Sequence, residues 1–108
     1  MALALETSGT QSTTGSGTED TLATLTGTKF YQLFLDLNDM VDGDVLTVKA
    51  KVKVLSGGTS RLAYSGTYTH TQGEKIVCTV PIASDQECIF TITQDSGTAS
   101  IPWKVLSW

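Results

Sequence analysis

Between Asp44 and Ser56 the chain reads DVLTVKAKVKVLS, with apolar and polar residues in alternation. Leu46, Val48, Ala50, Val52 and Val54 fall on one parity, and Thr47, Lys49, Lys51 and Lys53 on the other. A strand sends successive side chains to opposite faces, so this period of two predicts one apolar face and one charged, solvated face. Wound as a helix, the same residues would scatter lysines and apolar groups around the whole axis. The stretch Thr28 to Leu37, TKFYQLFLDL, predicts a second strand. Tyr31, Leu33, Leu35 and Leu37 share one of its faces; Phe30, Gln32, Phe34 and Asp36 share the other. Aromatics on both faces suggest cover on both sides, one side the core and the other a subunit contact.

Turn chemistry divides the rest. Asp42-Gly43, Ser56-Gly57-Gly58-Thr59, Gln72-Gly73-Glu74 and Asp95-Ser96-Gly97 are turn signals, because glycine reaches positive φ without steric cost. Between them lie alternating runs at Ser60–Thr71, Lys75–Ile82, Glu87–Gln94 and Thr98–Trp108, with a short lead-in strand at Asp20–Gly27. The runs on either side of Gly57-Gly58 predict a hairpin, and Gly66 within the second predicts a bulge or a close backbone approach. Pro81 donates no ladder hydrogen bond and belongs at an edge or a strand end. Seven to eight strands at short, regular spacing, with no helical period, predict an all-β, single-domain antiparallel β-sandwich or jelly roll, or a small barrel.

The N-terminus lacks this pattern. Residues 7–18, TSGTQSTTGSGT, hold only Thr, Ser, Gly and Gln and bury too little apolar surface to offset their ordering entropy. The expectation is a flexible N-terminal arm over residues 1–19, tipped by Leu3 and Leu5, and a β-domain over residues 20–108.

Composition narrows the function classes. The chain has 108 residues, enough for one core, with 40% hydrophobic and only 17% charged residues. Its net charge of −4 argues against a nucleic-acid partner, which calls for a basic face. No apolar run approaches the roughly 20 residues that span a bilayer, and MALALETSG lacks the basic and apolar regions of a secretory signal. The expectation is a cytosolically made protein with neither membrane nor cofactor.

Candidate chemistry is sparse. His70 is the one histidine and has no G-x-S-x-G motif to serve, so it reads as a polar sheet residue. The acidic cluster Asp36, Asp39, Asp42 and Asp44 fails the EF-hand pattern: Met40 takes a ligand position and no closing glutamate follows. Cys78 and Cys88 are too few for a usual zinc site. A cross-strand disulfide between them would contribute about 3 kcal/mol. A reducing cytosol favours two buried free thiols instead. Lys49, Lys51 and Lys53 form a solubilising ladder or a contact for an acidic surface. Trp103 reads as core beside Ile101 and Val105, whereas the terminal Trp108 needs something to cover it.

Two stretches, LFLDLNDMVDGDVLTVKAKVKVLSGGTSRLAYSGTYTH at 33–70 and VPIASDQECIFTITQDSGTASIPWKVL at 80–106, carry a resemblance. Its features are the acidic turn after Leu35-Asp36-Leu37, the Gly57-Gly58-Thr59 turn with Arg61, Tyr64 and Tyr68, and the closing Pro102-Trp103-Lys104. Residues 33–106 resemble a family of small tailed-bacteriophage virion structural proteins. The resemblance implies a non-enzymatic capsid decoration or cement protein, made in the host bacterial cytoplasm and carried on the virion surface. It implies the major capsid protein as partner and a homo-oligomer, with a trimer favoured. The interface anchors expected on this reading are Leu3, Leu5, Tyr31, Phe34 and Trp108, since exposed aromatics concentrate binding energy. A carbohydrate-binding module, or another tail or head-completion part, is the alternative.

Overall fold

The computed structural model describes residues 2–108. Among them there is no helix; nine strands form two antiparallel sheets packed face to face as a sandwich. They are β1 (Ala4–Ser12), β2 (Glu19–Leu25), β3 (Lys29–Asp36), β4 (Val45–Val52), β5 (Arg61–Thr69), β6 (Ile76–Cys78), β7 (Ile82–Ser84), β8 (Cys88–Ser96) and β9 (Ser100–Ser107). One sheet, here sheet A, runs β1-β9-β3-β6, with β7 also on β3; the other, sheet B, runs β2-β8-β4-β5. The count slightly exceeds the seven to eight expected, because Lys75–Ile82 splits at Pro81 and the N-terminal run adds a strand.

The alternation read from the sequence fills the core. Tyr31, Leu33, Leu35 and Leu37 from the β3 run, with Ile101 and Val105 from β9, face Leu46, Val48 and Ala50 from β4 and Cys88, Phe90 and Ile92 from β8. The expected hairpin is β4 paired with β5, Leu46 opposite Tyr68 and Val48 opposite Gly66. Gly66 sits in register, and a Cβ there would lie 3.3 Å from the Tyr64 hydroxyl. The bulge falls elsewhere, between Ala50 and Lys51. Val54, expected on the apolar face, lies past the end of β4 and is exposed.

The polar N-terminal run is ordered. β1 pairs antiparallel with β9 from Ala4 opposite Ser107 to Ser12 opposite Ser100, where the sequence predicts an arm. A β-ladder satisfies backbone groups whatever the side chain, and β1 is held that way with no apolar side chain in the core. Just beyond it, Thr13 is buried and locked: its N–H donates to Ala99 O at 2.9 Å, its hydroxyl to Gln94 Oε1 at 2.7 Å, and Ala99 N–H donates to Thr13 Oγ1 at 2.8 Å. Gln94 occupies an inward position of β8 and is fully buried, so its satisfied hydrogen bonds are what make that position tolerable. Nearby, Gly97 has φ +78° and a Cβ on it would stand 2.0 Å from Asp44 Oδ1, so only glycine fits.

The cysteines also differ from expectation. Cys88 is a buried free thiol, pushed up to about 12 by burial, but Cys78 is exposed on β6. They lie in different sheets, so the expected shared apolar face does not exist. The parity shifts at Thr79–Pro81. Thr79 turns inward, its N–H donates to Leu33 O at 3.0 Å and its hydroxyl accepts the Leu33 N–H at 3.2 Å, and the inward parity resumes at Ile82.

Candidate protein interface

Sheet A has a second face, turned away from the core, and the cross-strand registers fix what it presents. Leu5 stands opposite Leu106, and Leu106 opposite Gln32. Ser8 stands opposite Lys104, Lys104 opposite Phe34, and Phe34 opposite Cys78. Asp36 stands opposite Ile76. At the end of the sheet the ladder continues past β9: Phe30 and Trp108 exchange backbone hydrogen bonds of 3.1 and 3.2 Å. Their rings stack, 6.0 Å between centroids and 15° between planes. A stacked pair of this kind contributes about 0.5–1.5 kcal/mol beyond its buried area. This contact orders the terminal tryptophan while leaving both rings half open to solvent.

The result is an apolar tract on a surface that water would otherwise claim. Leu3 is 64% exposed, Leu5 61%, Phe30 42% and Ile76 60%, with Phe34, Leu106 and Trp108 half-buried among them. Two shallow depressions mark it. One, of about 410 Å³, lies beside Phe30, Trp108 and Ala83. The other, of about 520 Å³, runs between Phe34, Ile76 and Pro102, with Lys104 and Asp36 on its rim. The Lys104 ammonium lies 5.5 Å from the Phe34 ring centroid, a cation–π contact worth about 0.5–1 kcal/mol at an exposed site. Apolar side chains gathered on one exposed face, with Gln32 and Lys104 among them, make this face a candidate interaction surface.

The expected anchors divide. Leu5, Phe34 and Trp108 lie on this outer face, and Leu3 continues the parity of Leu5 one step before β1. Tyr31 does not join them. It is 1% exposed on the core face of β3, its hydroxyl donates to Gly27 O at 2.9 Å, and burial raises its pKa. Its parity with Leu33 and Leu35 carried that information. Phe30 and Ile76, not among the expected anchors, also lie on this face: Phe30 shares the parity of Phe34, while Ile76 was hidden by the shift at Thr79. Trp103, expected in the core, is half-buried on the inner side, against Gly9.

The other candidates resolve into structural roles. His70 has φ 62° and its Nδ1 accepts the Gly43 N–H at 2.9 Å, making it a turn residue that ties two loops together. Asp36 accepts from Asn38 N–H, Asp42 from Thr71 N–H, Asp44 from Val41 N–H and Asp39 from Ser100 N–H. Their carboxylates cap separate loops, and no group of three or more metal-ligating side chains converges among the described residues. The lysine ladder is partly neutralised: Lys51 pairs with Glu19 at 2.9 Å and Lys53 with Glu87 at 3.7 Å. No family model matches the chain, and neither curated proteins nor solved structures give a match.

Proposed function

We propose that the protein is a non-enzymatic virion structural protein of a tailed bacteriophage, a capsid decoration protein that binds between major capsid protein subunits through the outer face of sheet A. The observation that carries the reading is the gathering of exposed Leu3, Leu5, Phe30 and Ile76 with half-buried Phe34 and Trp108 on one face of sheet A. The resemblance over residues 33–106 supplies the partner.

Magnitudes favour several copies acting together. Covering an exposed Leu, Phe or Ile gains about 1.5–3 kcal/mol each. Association costs an estimated 4–15 kcal/mol. These side chains therefore leave one copy close to balance. A homo-oligomer, with a trimer favoured, multiplies the contact and converts weak binding into avidity.

The deciding experiment is co-sedimentation of the purified protein with capsids of the phage that encodes it, together with mass spectrometry of its virions. Saturable binding and presence in virions are expected; absence of both overturns the reading. The rival reading, a carbohydrate-binding module, needs open aromatic platforms. Tyr68 and Trp103 are half-buried and packed against the core, which weighs against it. A glycan screen with hits abolished by Trp103→Ala would restore it.

A further inference from the structure

β1 stands apart from the other strands. Among the described residues it is the one strand that sends no apolar side chain into the core or against it. Its inward positions, opposite Val105, Trp103 and Ile101, are Thr7, Gly9 and Gln11. What holds it is a backbone ladder to β9, interrupted by a bulge between Leu5 and Thr7, and the carboxylate of Glu6, which takes hydrogen bonds from Lys29 and from the Ser107 hydroxyl at 2.7 Å. Segments secured this way open at the low end of a protein's local stability range.

The connection to β2 is built to turn. β1 belongs to sheet A and β2 to sheet B, so the chain crosses between layers at residues 13–18. Three consecutive residues there are left-handed: Gly15 at φ 80°, Ser16 at 55° and Gly17 at 77°. Two are glycines, and the serine bears the steric cost of a conformation that L side chains avoid. The crossing is pinned by hydrogen bonds from Thr14 N–H and its hydroxyl to the Asp20 carboxylate, at 2.9 and 2.7 Å. Straightening it would relieve Ser16 and carry β1 outward.

We propose that β1 is an exchangeable strand, and that the edge of β9 takes β1 from a second copy of this chain. The occupant follows from the register. A departing β1 uncovers a β9 edge matched residue by residue to the sequence ALETSGTQS, from Ala4 opposite Ser107 to Ser12 opposite Ser100. Only another copy restores all of it, together with the Thr13 lock on Ala99 and Gln94. Exchange therefore conserves every contact and alters only the hinge, the condition under which swapping costs little. A strained hinge favours it further. The home strand competes at an effective concentration of about millimolar, so exchange belongs to copies held close together. The proposal does not depend on the capsid reading.

Cross-linking in register tests it. In a Cys78→Ser background, chains carrying Ser8→Cys or Ser12→Cys are each mixed with chains carrying Lys104→Cys or Ser100→Cys, unfolded and refolded together at about millimolar concentration, and oxidised. Position 8 lies opposite 104 and position 12 opposite 100. Covalent heterodimers several-fold more abundant for 8 with 104 and 12 with 100 than for the crossed pairs are expected. Docking through the sheet face would link them without regard to register. Ser16→Gly, which removes the hinge strain, should lower the in-register yield several-fold, and Ser16→Val should raise it. Equal yields in all four mixtures, with a Ser8→Cys/Lys104→Cys chain forming intrachain bonds alone at every concentration, would overturn the proposal.

Discussion

The two outer faces of the sandwich obey the same strand geometry and present opposite chemistry. On sheet B the outward positions of the central strands are Thr47, Lys49, Lys51, Thr91 and Thr93, closed by Glu19, which accepts from the Thr91 hydroxyl at 2.7 Å and from Lys51 at 2.9 Å. Val45 at one end, and Ile89 and Leu62 at the hairpin end, interrupt the polar run. On sheet A the corresponding positions include Leu5, Leu106, Phe34, Phe30 and Ile76, set among Ser8, Gln32, Asp36 and Lys104. An antiparallel sheet with one solvated face tolerates the first composition indefinitely. The second leaves apolar area in water, which is the area the proposed partner would cover.

Changes to the shared interior set the scale for that comparison. Phe90, fully buried on β8, supports both sheets; Phe90→Ala should lower unfolding free energy by about 3–5 kcal/mol in denaturant melts. A smaller loss would mean that the sheets are loosely packed and the face assignment is insecure. Next comes the apolar face. Phe30→Asp with Trp108→Asp should weaken capsid binding by about 30-fold, equivalent to about 2 kcal/mol, while circular dichroism stays unchanged. Lys49→Glu on the opposite face should leave that binding intact, and a comparable loss there would erase the distinction. Lys51→Ala should cost less than about 1 kcal/mol in melts, as half-exposed ion pairs do. The smallest effect is in pH. The Thr91 hydroxyl and then Lys51 hold the Glu19 carboxyl below its usual 4.5. A lowered folded-state pKa stabilises above the unfolded value and is lost as pH falls through the folded one. The melting temperature should fall below about pH 4.5, and Glu19→Gln should flatten part of that slope.

The sheets themselves were legible because β3, β4 and β9 bury one parity each, and burial writes alternation into sequence. β1 was illegible for the converse reason: a strand secured by its backbone leaves no apolar signature, and Thr, Ser and Gly read as an arm. Parity arguments fail where a strand breaks, and Thr79–Pro81 hid both the exposure of Cys78 and Ile76 and the separation of the two cysteines into different sheets. Tyr31 and Phe34 show the remaining difficulty. On a strand with aromatics on both faces, periodicity separates the faces but does not say which one is the core. Three aliphatic neighbours on the Tyr31 side settle it, since Leu33, Leu35 and Leu37 have no use in water.

The divided partner of β3 has a further bearing on how the protein behaves when crowded. Along that margin sheet A ends in two three-residue strands, Ile76–Cys78 and Ile82–Ser84, with Pro81 between them. Short, broken edges with a proline offer no ribbon of free amides on which another chain can stack. Amyloid growth needs an unbroken template, and this side of the molecule denies it one. A threonine-rich β protein can thus be concentrated without seeding fibres from that edge.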